Sequence, residues 1–220
     1  MRYGKSLIAA TALVFATSGS VLAQVCLGYP TMGGQFALAG TIGFAEGSNA
    51  YGAALNANFA GPFTAEFGYQ YIDIEDVDTN GNNFFGNVGY ELNVPSVSLC
   101  PFAGVGYADA SEEIEGFEAS ASVIQVPVGI GIGKRLQASP TLFVDLFAQP
   151  HVLWLRSDFE IEGQGGIEIG GDESETEAAI NLGANIGTSR FFVGGGVQIT
   201  TIEDSDPTFS LRVGIVLGGN

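Results

Sequence analysis

The feature that most limits how this chain can fold is an alternation of apolar and polar residues with a period of two. Between residues 141 and 156, for example, Leu142 and Val144 fall on one side, whereas Asp145 and Gln149 fall on the other. Successive side chains of a β-strand point to opposite faces, so this period predicts strands with one apolar and one polar face. Segments of this kind recur along most of the chain, which indicates an all-β fold.

Acidic residues are almost absent from these alternating segments, although the chain has 24 of them and a formal net charge of −17. Apart from Asp73, the last residue of its segment, the exceptions are Glu66, Glu91 and Asp145, and these three fall on the polar side of their segments. A charged side chain is costly against lipid, so the polar side must face inward and the apolar side outward. This is the reverse of a soluble barrel, and it predicts a barrel whose solvent is a lipid bilayer. The negative charge also makes nucleic acid an unfavourable partner, and we expect none.

Ten segments fit a strand that crosses a membrane, since each is close to the ~9 to 11 residues that a tilted spanning strand requires. We therefore predict a single closed antiparallel transmembrane β-barrel over residues 35–220, with ten strands and, as the alternative, eight. Tight turns alternate with longer polar loops, and the tight turns are expected in the periplasm together with both termini. The basic residues Lys134, Arg135 and Arg190 are assigned to these inner turns. The predicted strands are 35-45, 50-60, 63-73, 83-94, 97-108, 120-133, 141-156, 178-187, 191-202 and 208-218.

The first 23 residues are expected to be removed before the protein folds. Arg2 and Lys5 precede an apolar stretch that is too short to span a membrane as a helix, and small residues follow it. This is the pattern of a secretory signal peptide. The predicted organisation is therefore a signal peptide at 1–23, a periplasmic N-terminal segment at 24–34 and the barrel at 35–220.

The chain has two cysteines, Cys26 and Cys100, and export to an oxidising compartment favours their oxidation. A disulfide between them is expected, while two free thiols and an intermolecular bridge remain as alternatives. Cys100 lies at the start of a predicted strand, on its inward face. A bond to Cys26 would therefore draw the N-terminal segment across the mouth of the barrel.

The segment 101–107 reads Pro-Phe-Ala-Gly-Val-Gly-Tyr, which looks like the proline, aromatic, small residue and glycine strand common in one group of membrane proteins. Together with the export signal and the ten alternating segments, it makes residues 35–218 resemble the small outer-membrane β-barrel superfamily that includes the OmpA membrane domain and its eight-stranded relatives. The resemblance implies a location in the cell outer membrane of a Gram-negative organism. It also implies contact with lipid and lipopolysaccharide, insertion by the outer-membrane assembly machinery, and ion pairs inside the barrel.

Four charged residues are candidates for such an interior cluster. Glu66, Glu91, Asp145 and Arg212 each lie three to six residues from a periplasmic strand end, so they share one level. Arg212 is the only cation expected there. Their ion pairs would stabilise the barrel and obstruct a pore, and the alternative is a charged constriction that selects solutes. Inward-facing rings near the same mouth also favour an obstructed lumen, and these are Phe102, Phe143 and Phe192.

The acidic loops are the candidates for metal binding. Asp76, Asp78 and Asn80 reproduce the opening of an EF-hand loop, in which alternating oxygen ligands surround a calcium ion. The twelfth position holds Asn87 instead of the glutamate that such loops require, so a solvated hairpin is the alternative. The loop 157–177 has eight acidic residues and is expected to be too polar to pack. Ca²⁺ at these loops is the one ligand considered, and no other cofactor is expected.

No motif in the sequence predicts an enzyme. The single histidine, His151, has Gln149 and Leu153 as its neighbours on the same face, so no catalytic set can be assembled around it. We therefore expect a non-enzymatic barrel with a structural or surface-interaction role and a largely plugged lumen. The alternatives are a narrow porin for small solutes or ions and a secreted, soluble β-sandwich adhesin. The sequence does not predict an oligomeric state.

Overall fold

The computed structural model describes seven stretches of the chain and places them in one closed antiparallel β-barrel. The predicted signal peptide, 1–23, lies outside the described residues, as do Asp76 and Asp78. Among the described residues, no helix is long and apolar enough to cross a membrane. The described stretches are 26–59, 61–74, 79–94, 96–114, 117–163, 167–201 and 206–218.

The barrel wall consists of strands that follow one another along the chain. They are β1 (Gln35–Ala45), β2 (Ser48–Asn58), β3 (Phe63–Ile74), β4 (Thr79–Tyr90), β5 (Leu92–Val94), β6 (Val97–Ile114), β7 (Phe117–Gln137), β8 (Phe143–Gly163), β9 (Ile167–Gly187), β10 (Phe191–Thr200) and β11 (Thr208–Gly218). β4 and β5 are two parts of one strand, since both pair with β6 in a continuous register on either side of Glu91. The backbone N–H of Glu91 donates to the carbonyl oxygen of Pro62 at 2.6 Å. The wall of the barrel therefore consists of ten strands.

Each strand pairs with its neighbours in the sequence, and β1 pairs with β11 to close the barrel. At this seam Thr41 lies opposite Arg212. Where every strand is paired on both sides, closure leaves no strand edge, which is required in lipid because unpaired N–H and C=O groups have no water there. Residues 167–177 of β9, outside this part of the wall, pair with β8 alone. The predicted closed ten-stranded antiparallel barrel is confirmed, and the eight-stranded alternative is wrong.

The outer face of the barrel is apolar, and the inner face is small, polar or charged. On β1, Phe36 and Leu38 are 44 % and 47 % exposed, whereas Ala37 between them is buried. The rings of Phe67 and Phe191 are 61 % and 63 % exposed. A continuous belt of such side chains needs an apolar solvent, which a bilayer supplies. A soluble β-sandwich would bury them between two sheets, so that alternative is wrong.

The two ends of the barrel differ. One end carries the connections predicted to be tight turns, together with the start of β1 and the end of β11, and we call it the short-turn end. The predicted alternation of tight turns with longer loops is wrong, because most connections at the opposite end are equally short, such as Glu46–Gly47 between β1 and β2. The opposite end is uneven, because β6 to β9 continue far past the turn that joins β1 to β2. We call this part of β6 to β9 the extension. The connections at the short-turn end are 59–62, 95–96, 138–142 and 188–190.

The expectation that 157–177 is a loop too polar to pack is wrong, because β8 extends into it as far as Gly163 and β9 begins at Ile167, and the two pair as a hairpin. Asp158 lies opposite Asp172 in the same register that holds lower in the barrel. Alternation persists in this hairpin, but its phase is reversed: Asp158 occupies the face that carries Trp154 four residues earlier. A sheet that leaves lipid and enters water can turn its polar residues outward, so the acidic residues do not end the strands.

Candidate functional site

Several large side chains of the inner wall lie beside a glycine of the neighbouring strand. Phe85 of β4 is next to Gly68 of β3, where a Cβ atom would overlap the phenyl ring. Asn87 is next to Gly104 of β6, where a Cβ atom would overlap the amide oxygen. Gly68 and Gly104 therefore leave the room that these two large inner side chains occupy.

The N-terminal segment 26–31 lies inside the barrel at its short-turn end. It begins with a single 3-10 turn, Cys26–Gly28, and both Cys26 and Tyr29 are 2 % exposed. Cys26 forms a disulfide with Cys100 of β6, and the two Cα atoms are 5.5 Å apart. The predicted disulfide is thus present in the structure, and it ties the segment to the wall.

The carbonyl group of Gly28 is held from two sides of the wall. Its oxygen accepts hydrogen bonds from Asn185 Nδ2 at 3.0 Å and from Arg212 Nη1 at 3.2 Å. The Arg212 guanidinium also lies over the rings of Tyr29 and Phe147, 5.3 and 5.1 Å from their centres. Contacts of this cation–π type contribute roughly 0.5–2 kcal/mol each. Arg212 therefore helps to fix the N-terminal segment in place.

Asp145 is paired with Arg135 and not with Arg212. Arg135 Nε and Nη2 donate to the two carboxylate oxygens of Asp145, each at 2.7 Å, and the two side chains are 2 % and 0 % exposed. The same guanidinium donates to the carbonyl oxygen of Pro30 at 3.1 Å and lies 4.1 Å from the ring centre of Phe143. The assignment of Arg135 to a turn is wrong, because β7 continues beyond its predicted end and turns this side chain inward. Arg212 is therefore not the only cation inside the barrel, contrary to the prediction.

The two glutamates of the predicted cluster have different partners again. Glu66 of β3 is buried, and its Oε2 accepts a hydrogen bond from Asn87 Nδ2 at 2.9 Å. Glu91 is buried near the short-turn end, where its Oε1 accepts a hydrogen bond from Ser98 Oγ at 2.8 Å. The structure thus places all four predicted residues on the inside of the barrel, but it gives each of them different partners.

Beyond the N-terminal segment, the lumen contains a cavity of about 340 Å³. Leu27 and Tyr29 of the segment, together with the rings of Phe102 and Phe147, line the side nearer the short-turn end. Seven amide side chains also line the cavity. The sequence places each of them on the polar face of a strand, but it does not show that they meet around one cavity, because this depends on the register of six strands. These amides are Gln70, Asn83, Asn87, Gln125, Gln149, Asn181 and Gln198.

In the part of the chain that the structure describes, no group of three or more His, Cys, Asp or Glu side chains is placed to hold a metal ion. Asn80 of the predicted calcium loop lies in β4 opposite Asp73, whereas Asp76 and Asp78 are outside the described residues. Calcium binding by this loop therefore stays a prediction. His151 lines the cavity, and its Nδ1 atom is 2.9 Å from a backbone carbonyl oxygen of its own strand.

No protein-family model and no curated protein matches the sequence. Among solved structures, the N-terminal β-barrel domain of Pseudomonas aeruginosa OprF has 14 % identity over 84 % of this chain and 98 % of that chain, with a TM-score of 0.38. The translocator domain of the autotransporter NalP from Neisseria meningitidis has 12 % identity over 97 % of this chain and 93 % of that chain, with a TM-score of 0.48. The outer membrane protease OmpT from Escherichia coli has 12 % identity over 84 % of this chain and 93 % of that chain, with a TM-score of 0.49. Identities this low describe a likeness of fold and not of activity.

The geometry of the barrel itself defines the class of protein. Its strands form a closed ladder, its outer face is a belt of exposed apolar and aromatic side chains, and its inner face is polar. A closed antiparallel barrel with this inverted polarity is the β-architecture that spans membranes. The chain is therefore an integral β-barrel protein of the cell outer membrane.

Proposed function

We propose that this protein is a non-enzymatic barrel whose lumen is closed by its own N-terminal segment, and whose role is structural or lies in contacts at the cell surface. The observation that carries the proposal is the position of residues 26–31, which are buried inside the short-turn end and joined to the wall by a disulfide. With the short-turn end in the periplasm and residues 1–23 removed, this segment would separate the lumen from the periplasm.

Displacing the N-terminal segment would break several buried polar contacts at once. Thr31 Oγ1 donates to Asn56 Oδ1 at 2.8 Å. The carbonyl oxygens of Gly28 and Pro30 accept hydrogen bonds from two arginines on different strands. Hydrogen bonds to charged groups contribute roughly 1.5–3 kcal/mol each, and a partner left unsatisfied in a confined space adds to the cost of opening. The closed arrangement is therefore favoured even without the disulfide.

The acidic extension supports a role at the outer surface. Glu160, Asp172 and Glu175 are exposed there, beyond the apolar belt. Their carboxylates would meet an anionic lipopolysaccharide layer, which divalent cations such as Ca²⁺ can bridge. Lipid and lipopolysaccharide are therefore the proposed contacts of the folded protein, and the outer-membrane assembly machinery is the proposed partner during insertion.

Planar-bilayer conductance of the refolded, oxidised protein tests this proposal. We expect little conductance in the oxidised protein and more after reduction combined with Arg212→Ala, because both changes release the N-terminal segment. Arg190→Ala is the matched control, since Arg190 is an exposed residue of a short connection. A large and steady conductance of the oxidised wild-type protein would overturn the proposal.

A narrow porin is the second candidate, and the polar lumenal cavity of about 340 Å³ favours it. In a porin, a continuous path for solutes would pass beside the N-terminal segment. The oxidised protein would then already conduct, and removal of Arg212 would mainly change its ion selectivity. The two candidates therefore predict different responses to the same substitution.

A further inference from the structure

We propose that the lumenal cavity is a binding site for an uncharged, polyhydroxylated ligand, a saccharide of about one or two rings. A volume of about 340 Å³ is sufficient for a ligand of this size, because small-molecule sites occupy roughly 300–1,000 Å³. The ligand enters from the end opposite the short turns, since residues 26–31 occupy the short-turn end. The N-terminal segment forms one end of this binding site, which we call its floor, but ligand binding does not require that the segment close the lumen.

The wall of the cavity has the chemistry that sugar hydroxyls require. Its seven amide side chains come from β3, β4, β7, β8, β9 and β10, so they surround the space. Each amide offers two donors and a carbonyl acceptor without a net charge, whereas a hydroxyl both donates and accepts. A ring of amides therefore complements a neutral polyol from several directions.

Asn83 and Asn181 each donate a hydrogen bond to a neighbouring glutamine, and the side-chain oxygen of each asparagine has no hydrogen-bond partner among the described residues. Asn83 Nδ2 donates to Gln70 Oε1 at 3.1 Å, and Asn181 Nδ2 donates to Gln149 Oε1 at 3.4 Å. In both asparagines, the Oδ1 atom is buried and lacks a hydrogen-bond partner. A buried acceptor without a partner is unfavourable, so the two amides gain binding energy when they turn toward a ligand and accept hydrogen bonds from its hydroxyl groups. Asn83 is on β4 and Asn181 is on β9, and β6, β7 and β8 lie between these strands in the wall. The two acceptors therefore face a ligand from different sides.

The charges and rings at the floor of the cavity also favour a neutral ligand. Glu66 and Arg212 both line the cavity, so an anionic ligand would meet a carboxylate and a cationic ligand would meet a guanidinium. The rings of Tyr29, Phe102 and Phe147 lie on the same side. They offer an apolar surface to the C–H face of a sugar ring, as amphipathic ligands require.

Titration calorimetry and ligand-observed NMR test the site on the refolded, oxidised protein in a zwitterionic detergent that has no sugar headgroup. The probes are maltose and dextran as neutral saccharides, galacturonic acid as an anion and spermidine as a cation. We expect maltose to bind with a millimolar or lower dissociation constant, and the two ions to bind at least about tenfold more weakly. Binding of dextran as well as maltose assigns the site to a polysaccharide chain end, and binding of maltose alone assigns it to a free sugar.

Four substitutions locate the binding. Asn83→Ala and Asn181→Ala each remove one unused acceptor and should weaken maltose binding about tenfold. Asn82→Ala is the matched control, because Asn82 neighbours Asn83 on β4 but faces outward and bonds to the exposed Tyr69. Gly43→Leu narrows the cavity and should weaken maltose binding at least about tenfold. Gly43 is chosen because a Cβ there meets its nearest side chain at an ordinary 3.4 Å.

Two results would overturn the proposal and show that the cavity holds only water. One is the absence of binding by either neutral saccharide to the wild-type protein at the highest soluble concentrations. The other is maltose binding that is unchanged in Gly43→Leu, with heat-modifiable electrophoretic migration showing that this variant is folded. Conductance of the same samples reports separately on closure by the N-terminal segment, so failure of one proposal is distinguishable from failure of the other.

Discussion

At the scale of single residues, each buried charge inside the barrel has its own partners. Asp145 is 0 % exposed, and a carboxylate at such a position is unfavourable unless it is paired and fully hydrogen-bonded. The two parallel hydrogen bonds from Arg135 meet this requirement, and a third donor of the same guanidinium reaches Pro30. One arginine therefore stabilises both the wall and the N-terminal segment.

Arg135→Ala is expected to destabilise the folded barrel by about 3–5 kcal/mol, because it leaves Asp145 buried without a counter-charge. Urea unfolding of the refolded protein in lipid vesicles measures the loss. Arg190→Ala, at an exposed position, is the control and should change the free energy of unfolding by less than about 0.5 kcal/mol. Equal effects of the two substitutions would show that water already solvates Asp145.

The steric role of the inner glycines leads to a second expectation. Gly68→Ala should cost about 1–3 kcal/mol, because the new methyl group would overlap the Phe85 ring and force it to move. Gly40→Ala is the matched control, since a Cβ at Gly40 has no neighbouring atom within 4 Å. Unfolding midpoints of the two variants measure the difference, and similar midpoints would contradict a steric role for Gly68.

At the scale of elements, much of the wall could be predicted because alternation must hold wherever a strand crosses lipid. β1 and β11 have the bounds predicted from the sequence. The far end of β7 extends past the predicted bound, because the basic pair Lys134 and Arg135 is typical of a turn but here belongs to the strand. The extension also lies outside the predicted strands, because its acidic residues are typical of a loop, whereas in the structure they only reverse the phase of the alternation.

The contacts of the N-terminal segment show what the sequence could not reveal. Its disulfide could be predicted, because the chain has only two cysteines and is exported. The hydrogen bonds of the segment could not be predicted, because Gly28 is 157 residues from Asn185 and 184 residues from Arg212 in the sequence. A carbonyl group carries no sequence signal, so pairing at such distances appears only once the strand register is known.

Cys26→Ser tests the disulfide as an element that holds the segment. The two cysteines are 74 residues apart, and a loop of this length corresponds to roughly 4 kcal/mol of stabilisation as an upper figure. The unfolded wild-type protein should therefore migrate faster without reductant than with it, whereas Cys26→Ser and Cys100→Ser should show no difference. Two alkylatable thiols in freshly extracted protein would contradict the bond.

At the scale of the whole molecule, the reversal of alternation marks where the barrel leaves the membrane. On the outward face of β8, Trp154 is followed by Arg156 and Asp158. On β6, Tyr107 is followed on the same face by Asp109. Trp and Tyr are the side chains that concentrate at membrane interfaces. The apolar belt therefore ends at the level of these rings, and the extension stands in water.

This boundary predicts opposite results for one substitution made at two heights on β7. Val128 is 54 % exposed in the middle of the belt, so Val128→Arg should cost about 2–4 kcal/mol, the penalty of a guanidinium near the bilayer centre. Ser120 lies on the same face of the same strand but above the boundary, opposite Glu160, so Ser120→Arg should cost little or add a weak ion pair. Folding into lipid vesicles at graded urea concentrations, followed by heat-modifiable electrophoresis, measures both variants. A penalty for Ser120→Arg as large as that for Val128→Arg would place the extension inside the membrane, whereas a tolerated Val128→Arg would mean that lipid does not cover this face.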